Sequence, residues 1–312
     1  MRYIISLLLT STALPALADV PRVVADIPPI HAIAAQVMGD LGQPELLLDS
    51  GANAHSYQLR PSQAASLAEA DLILWVGPQM TPWMARALEG LSADVPHLAL
   101  LTAEGTYTRE FGASKPHDHA HEEAAGHEGH DHDAPGHSHS GVDPHAWLDP
   151  ANARVWAGVI AAELSRIDPE NAATYAANAA AAQARIDVLD AELAAMLAPA
   201  KGKPFVVFHD AYGYFADHYG LTVAGSIALG DASSPGAARL RELSQDVASG
   251  GAICLFPEAQ HDGALVTQMA EGSAAKIGAA LDPEGSSIPP GPDAYDALMR
   301  ALATNILSCV TG

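Results

Sequence analysis

The chain has 312 residues, with 37 acidic against 15 basic side chains and a formal net charge of −22. That balance excludes the basic footprint that nucleic-acid binding demands, and it suits a soluble protein that attracts cations. Only two cysteines are present, Cys254 and Cys309.

Met1-Arg2 opens a short, mostly apolar stretch that runs to Leu17 and closes with Ala16-Leu17-Ala18. One early positive charge, a brief apolar core and a small-x-small end predict a secretory signal over residues 1–18, cut after Ala18. The stretch is shorter than the roughly 20 residues of a spanning helix. No cysteine stands directly after the expected cut, where Asp19 lies, and no later segment is apolar for long enough to span a bilayer, so a soluble periplasmic chain of about 290 residues is expected. In that oxidising compartment Cys254 and Cys309 can bond, closing a loop of 55 residues. The alternatives are two free thiols, or Cys254 as a metal ligand.

Arg22–Ala25 reads as a strand and Ile30–Met38 as a helix; Leu46–Leu48 sits in a second strand that leads into a loop ending at His55. Ser62 is placed to cap a helix over 63–70. Asp71–Gly77 is a continuous apolar run of strand length, and helical spacing resumes at Thr81-Pro82-Trp83 with the proline in the first turn. Short apolar strands separated by helices predict parallel sheets covered on both faces. Between Lys115 and Val142 apolar side chains almost vanish, and this segment is expected to be disordered without metal.

Asp168-Pro169 then predicts a capped helix start, and the helical pattern holds to Pro199, about 30 residues or ~45 Å. Its stripe of Tyr175, Ala179, Ala182, Ile186, Leu189, Leu193 and Met196 predicts a packing face. The second half repeats the alternation. Phe205–Phe208 is a strand ending at His209, and a helix runs through Tyr214 and Phe215. Leu221–Ala224 reads as a short strand and Ser234-Pro235 as a helix start. Gly251–Phe256 is a strand, and helices follow from Ala264 and from Asp293. The expected class is α/β, with two similar lobes of parallel-type sheets flanked by helices. The lobes cover 19–167 and 200–312, and one long rigid helix at 168–199 joins them.

Eight of the 15 histidines crowd into one tract: His117, His119, His121, His127, His130, His132, His137 and His139. Interleaved with carboxylates, they suit several weak, exchangeable transition-metal sites. Three others stand where a loop leaves a strand or enters a helix: His55, His145 and His209. Ligands in open α/β sheets gather at the carboxyl ends of strands, so these three can meet in one cleft between lobes. Zinc takes four ligands in a tetrahedron, which leaves one place for a carboxylate, His261 or water. Glu258 and Asp262, both following the Gly251–Phe256 strand, are the carboxylate candidates.

The segments GANAHSYQLRPSQ (51–63), ADLILWVGPQM (70–80), DPHAWLDP (143–150), VVFHDAYGYFADHYGL (206–221), PGAARLREL (235–243) and LDPEG (281–285) carry a resemblance. In their order they resemble the zinc-specific, ZnuA-type solute-binding proteins (cluster A-I) of bacterial ABC uptake transporters. The resemblance implies metal in the interlobe cleft, ligated by His55, His145 and His209, and a disulfide between Cys254 and Cys309. Related manganese binders place a carboxylate where His209 stands, so imidazole there implies preference for zinc. They also have an aspartate near Asp262, which makes that residue the candidate fourth ligand. Some zinc binders carry a glutamate just before the first histidine, a position held here by Ala54.

The implied function is high-affinity zinc capture and delivery to the transporter's membrane subunits, by a monomer with no chemical step. Free histidine protonates near pH 6.5, so binding should weaken below that. A zinc hydrolase would share three ligands plus water, but no HExxH helix or other hydrolase signature is present. A metal buffer or adhesin is the other alternative.

Overall fold

The computed structural model describes residues 20–91, 94–112, 141–228 and 236–312. The expected signal at 1–18, the whole histidine-rich tract and the Ser234-Pro235 helix start lie outside the described residues.

Strand β1 (Val23–Ala25) is followed by helix α1 (Pro28–Met38), then β2 (Glu45–Leu46), α2 (Pro61–Ala68), β3 (Leu72–Trp75), α3 (Pro82–Leu91) and β4 (His97–Ala99). These strands make one all-parallel sheet in the order β2-β1-β3-β4. After the segment outside description come α4 (Pro150–Ile167) and α5 (Ala172–Leu197). The second lobe contains β5 (Phe205–His209), α6 (Gly213–Tyr219), β6 (Val223–Ala228), α7 (Ala237–Ala248), β7 (Cys254–Leu255), α8 (Ala264–Ala270), β8 (Lys276–Ile277) and α9 (Ala294–Thr311). Its sheet is also parallel, in the order β6-β5-β7-β8. Each lobe therefore repeats the same winding.

Both faces of each sheet are covered, which explains the unbroken apolar runs. The pleat divides them: Val23, Ala25, Leu72, Leu74, Phe205 and Val207 enter one central core. Val24, Ile73 and Trp75 instead face an outer cluster with Trp83, Met84 and Leu88. Val206, Phe208 and Leu255 face the corresponding outer cluster of the second lobe with Val266 and Met269. With a period of two, His209 falls on the same face as Phe205 and Val207, toward the centre of the molecule.

The central core is continuous across the lobes, drawing in α1, α4, α5, α9, Trp147 and Tyr295. Helix α5 packs against α1, α4 and α9, and so joins the lobes. Its buried stripe is Tyr175, Ala179, Ala182, Ile186, Leu189, Leu193 and Leu197. Leu197, not the expected Met196, ends the stripe. Single 3-10 turns at Pro169–Asn171 and Ala198–Ala200 flank the helix.

Other expectations shift. Asp168 does not cap a backbone N–H with its side chain; its carboxylate accepts from the Tyr175 hydroxyl at 2.7 Å and from Asn171 Nδ2 at 2.8 Å. Helix α2 starts at Pro61, and Gln63 Oε1 accepts from Arg60 N at 2.8 Å, so Ser62 lies inside the helix. Helix α4 and the edge strands β4 and β8 lie outside the elements expected above. Cys254 and Cys309 form a disulfide that ties α9 to β7. No helix among the described residues is long and apolar enough to cross a membrane.

Candidate metal site

His55 lies after β2 on a 3-10 turn, Ala54–Ser56, where the Asn53 side chain accepts from His55 N at 2.8 Å. The turn is pinned on two sides: Trp83 Nε1 donates to Ala54 O at 2.6 Å, and Ala54 N donates to Glu284 Oε2 at 3.1 Å. His145 precedes the 3-10 turn Ala146–Leu148 that leads into α4. Asp149 caps that helix by accepting from Ala151 N at 2.8 Å, with Pro150 at its first position. His209 closes β5. His145 and His209 are each 1% exposed, whereas His55 is half-buried, so access is from the His55 side.

The three side chains meet. His55 Nε2 lies 3.3 Å from His145 Nε2, and His145 Nε2 lies 3.4 Å from His209 Nε2. One ligand atom from each histidine falls within 4.8 Å of the others. Two imidazole nitrogens bound to one tetrahedral zinc at about 2.05 Å would be about 3.3–3.4 Å apart. The observed spacing fits that geometry.

The far nitrogens explain why the Nε2 atoms converge. His145 Nδ1 is 2.8 Å from Asp143 Oδ1, and His209 Nδ1 is 2.6 Å from Glu258 Oε2. A carboxylate that accepts the Nδ1 proton fixes the tautomer and turns the Nε2 lone pair toward the shared centre. Asp143 and Glu258 are themselves buried, at 0% and 3% exposure. Glu258 Oε1 accepts from the Tyr212 hydroxyl at 2.8 Å. Asp143 is paired with Arg109 at 3.0 Å, and its carbonyl accepts from the Tyr214 hydroxyl at 2.8 Å. Burial pushes the Tyr214 phenol above its ordinary value, so it remains a donor.

The cluster among the described residues holds the three histidines and none of the other candidates. Asp262 is exposed, and its Oδ1 accepts from Ala264 N at 3.0 Å, at the start of α8. Its carboxylate serves that turn. Glu258 faces the outer nitrogen of His209 and not the side where the three Nε2 atoms meet. His261 stacks on Phe208 with ring centroids 4.3 Å apart, and its Nε2 is 3.9 Å from Glu258 Oε2. The roles of Asp143, Glu258 and Tyr212 behind the histidines were not anticipated. The Asp-Pro-His spacing at 143–145 is a visible signal for the first of them, whereas the pairing of β5 with β7 that brings Glu258 to His209 is not local in sequence.

The ends of the tract outside description meet beside this site. Glu110 and Val142 form an antiparallel bridge, and Asp143 N donates to Arg109 O at 2.8 Å. The described residues on either side of 113–140 thus come together next to Asp143 and His145.

The sequence pattern of the ZnuA family, described as zinc-uptake complex component A, periplasmic, matches residues 23–309. The chain belongs to this family. Among its curated relatives is the high-affinity zinc uptake system protein ZnuA of Paracoccus denitrificans, 53% identical, with 97% of this chain and 95% of that protein covered. The protein of the same description from Brucella suis is 38% identical over 93% of this chain and 91% of its own length. The fold matches the crystal structure of a zinc-bound ZnuA deletion mutant with a TM-score of 0.74, at 25% identity, over 94% of this chain and 99% of the other. The family membership agrees with the two-lobed architecture and long connecting helix described above.

Proposed function

We propose that the protein captures zinc in the periplasm and delivers it to the membrane subunits of an ABC transporter. His55, His145 and His209 are the proposed ligands. The observation that carries this reading is the convergence of three Nε2 atoms at 3.3 and 3.4 Å, with buried carboxylates behind two of the rings. Neutral imidazoles suit zinc over the hard ions that prefer oxygen. The ion loses its hydration shell as it enters from the half-buried His55 side, and no bond of a substrate is made or broken. Water completes the tetrahedron in this reading, because Asp262 is engaged elsewhere.

The continuous core across the lobes argues against a large hinge motion. Zinc would shift the population of the His55 loop, since that is the arm least buried in the core. The histidine-rich tract at 113–140 would gather zinc beside His145 and raise its local concentration. Periplasmic location follows the family description, and a signal cut after Ala18 remains part of this proposal.

The test is growth in zinc-depleted medium. A strain lacking the gene should grow poorly, and the parental gene should restore it. A copy carrying His55→Ala, His145→Ala and His209→Ala should fail to do so. Full restoration by the triple variant would contradict the proposal.

A further inference from the structure

Two of the three clustered histidines have a buried carboxylate on their outer nitrogen. For the third arm, the structure points to Glu284. It lies in the LDPEG turn of the C-terminal lobe, between β8 and α9, and is 1% exposed. Its Oε2 accepts from Ala54 N at 3.1 Å, one residue before His55 and across 230 positions of sequence. The same turn grips the site at other points. Ser286 O accepts from Gly51 N at 3.0 Å and from the Ser50 hydroxyl at 3.2 Å, and Pro283 O accepts from Trp147 Nε1 at 2.8 Å. Gly285 makes the turn possible: it sits at φ +69, and a Cβ there would meet Leu298 Cδ1 at 2.9 Å.

A second observation is the charge inventory. The fully buried acids around the cluster are Asp143, Glu258 and Glu284, at 0%, 3% and 1% exposure, and the buried base is Arg109 at 9%. Arg109 is paired with both Asp143 and Asp217, and the half-buried Asp210 also lies close enough to feel His145 and His209. The buried carboxylates thus outnumber the one buried base around the place where the three imidazoles converge. A buried doubly charged cation needs compensating charge, because desolvation alone would expel it.

We infer that Glu284 is the outer carboxylate of the His55 arm: it holds that loop to the C-terminal lobe and supplies part of the charge that retains a doubly charged cation. The inference rests on the zinc reading above. It makes Glu284 a positioning residue, not a ligand. A buried carboxylate close to the site strains the metal-free protein and is relieved by the ion, so its removal should act oppositely on the two states.

The experiment uses the full chain and zinc alone, with the tight site read by chelator competition and by dissociation rate. Glu284→Gln keeps an acceptor for Ala54 N–H and removes the charge. Its zinc affinity should fall about 10–100-fold, the range for outer partners of metal-bound histidine, with a faster dissociation rate. The melting temperature of the metal-free variant should be unchanged or higher. Glu284→Ala, which removes the acceptor as well, should weaken binding further. Zinc affinity of Glu284→Gln within twofold of the parent would overturn the inference. So would an affinity loss matched by an equal loss of metal-free stability, which is the mark of a purely structural residue. A His209→Ala control separates the two levels. Parental affinity in that control overturns the site and the inference together, whereas parental affinity in Glu284→Gln alone overturns only the inference.

Discussion

At the scale of single residues, the site is a set of imidazoles whose direction is imposed from behind. His145 and His209 are held through Nδ1 by Asp143 and Glu258, which leaves Nε2 of each to face the shared centre. Replacing Glu258 by Gln should therefore weaken zinc binding by about 10–100-fold without touching a ligand, since outer hydrogen bonds set ring orientation and basicity. Replacing His145 or His209 by Ala should weaken it more, by at least about 100-fold. Asp262→Ala should bind zinc within twofold of the parent, because that carboxylate is exposed and committed to Ala264 N. Competition with a chromogenic chelator measures all of these. An effect of Asp262→Ala comparable to His209→Ala would restore Asp262 as the fourth ligand. The three histidines were legible in the sequence because each stands at a strand end or helix entry. The carboxylate behind His209 was not legible in that role, because Glu258 is brought in by a contact spanning 49 positions, whereas Asp143 stands two residues from His145.

At the scale of elements, the fully buried strands were legible and the exposed edge strands β4 and β8 were not. β1, β3 and β5 are buried on both faces and print as unbroken apolar runs. β4 and β8 are three and two residues long, partly or fully exposed, and carry no such signal. Helix α4 was hidden by composition, yet Asp149-Pro150 is a capped start of the kind expected at Asp168-Pro169, where the side chain bonds Tyr175 instead.

Two tethers join these elements, and each has a measurable signature. The Cys254–Cys309 bond closes 55 residues and fastens α9 to β7. Replacing both cysteines by Ala should lower stability by about 4 kcal/mol in the chain-entropy model, read by urea denaturation. His218 on α6 bridges Asp149 at 3.0 Å and Asp190 of α5 at 2.8 Å, and so ties the second lobe to α4 and the connecting helix. The hydrogen bond to Asp149 is the first cause that raises His218 to about 9, opposed by burial and reinforced by Asp190. A histidine raised on folding stabilises fully below its unfolded value near 6.5, and that contribution fades as pH climbs through 9. Partial solvent screening reduces it to about 2 kcal/mol. Stability should thus decline between pH 6.5 and 9.5, and His218→Gln should flatten that decline. An unchanged slope in the variant would remove His218 from the account.

At the scale of the whole molecule, two identically wound lobes share one core with the helix between them. The site sits where the carboxyl end of β5, the loop after β2 and the entry to α4 converge, so histidines from both halves of the sequence meet over one continuous core. The described residues that flank the histidine-rich tract, 109–111 and 141–143, pair with each other beside this centre. Capture and gathering are therefore separable. Deleting residues 115–140 should remove weak extra zinc equivalents and leave one tight site, and zinc at a hundred times its Kd should then stabilise the folded chain by about 2.7 kcal/mol. The most direct test is zinc titration of that deleted protein beside the same protein with His55, His145 and His209 all changed to Ala. One tight equivalent is expected in the first and none in the second; a tight equivalent surviving in the second would rule out the three-histidine site.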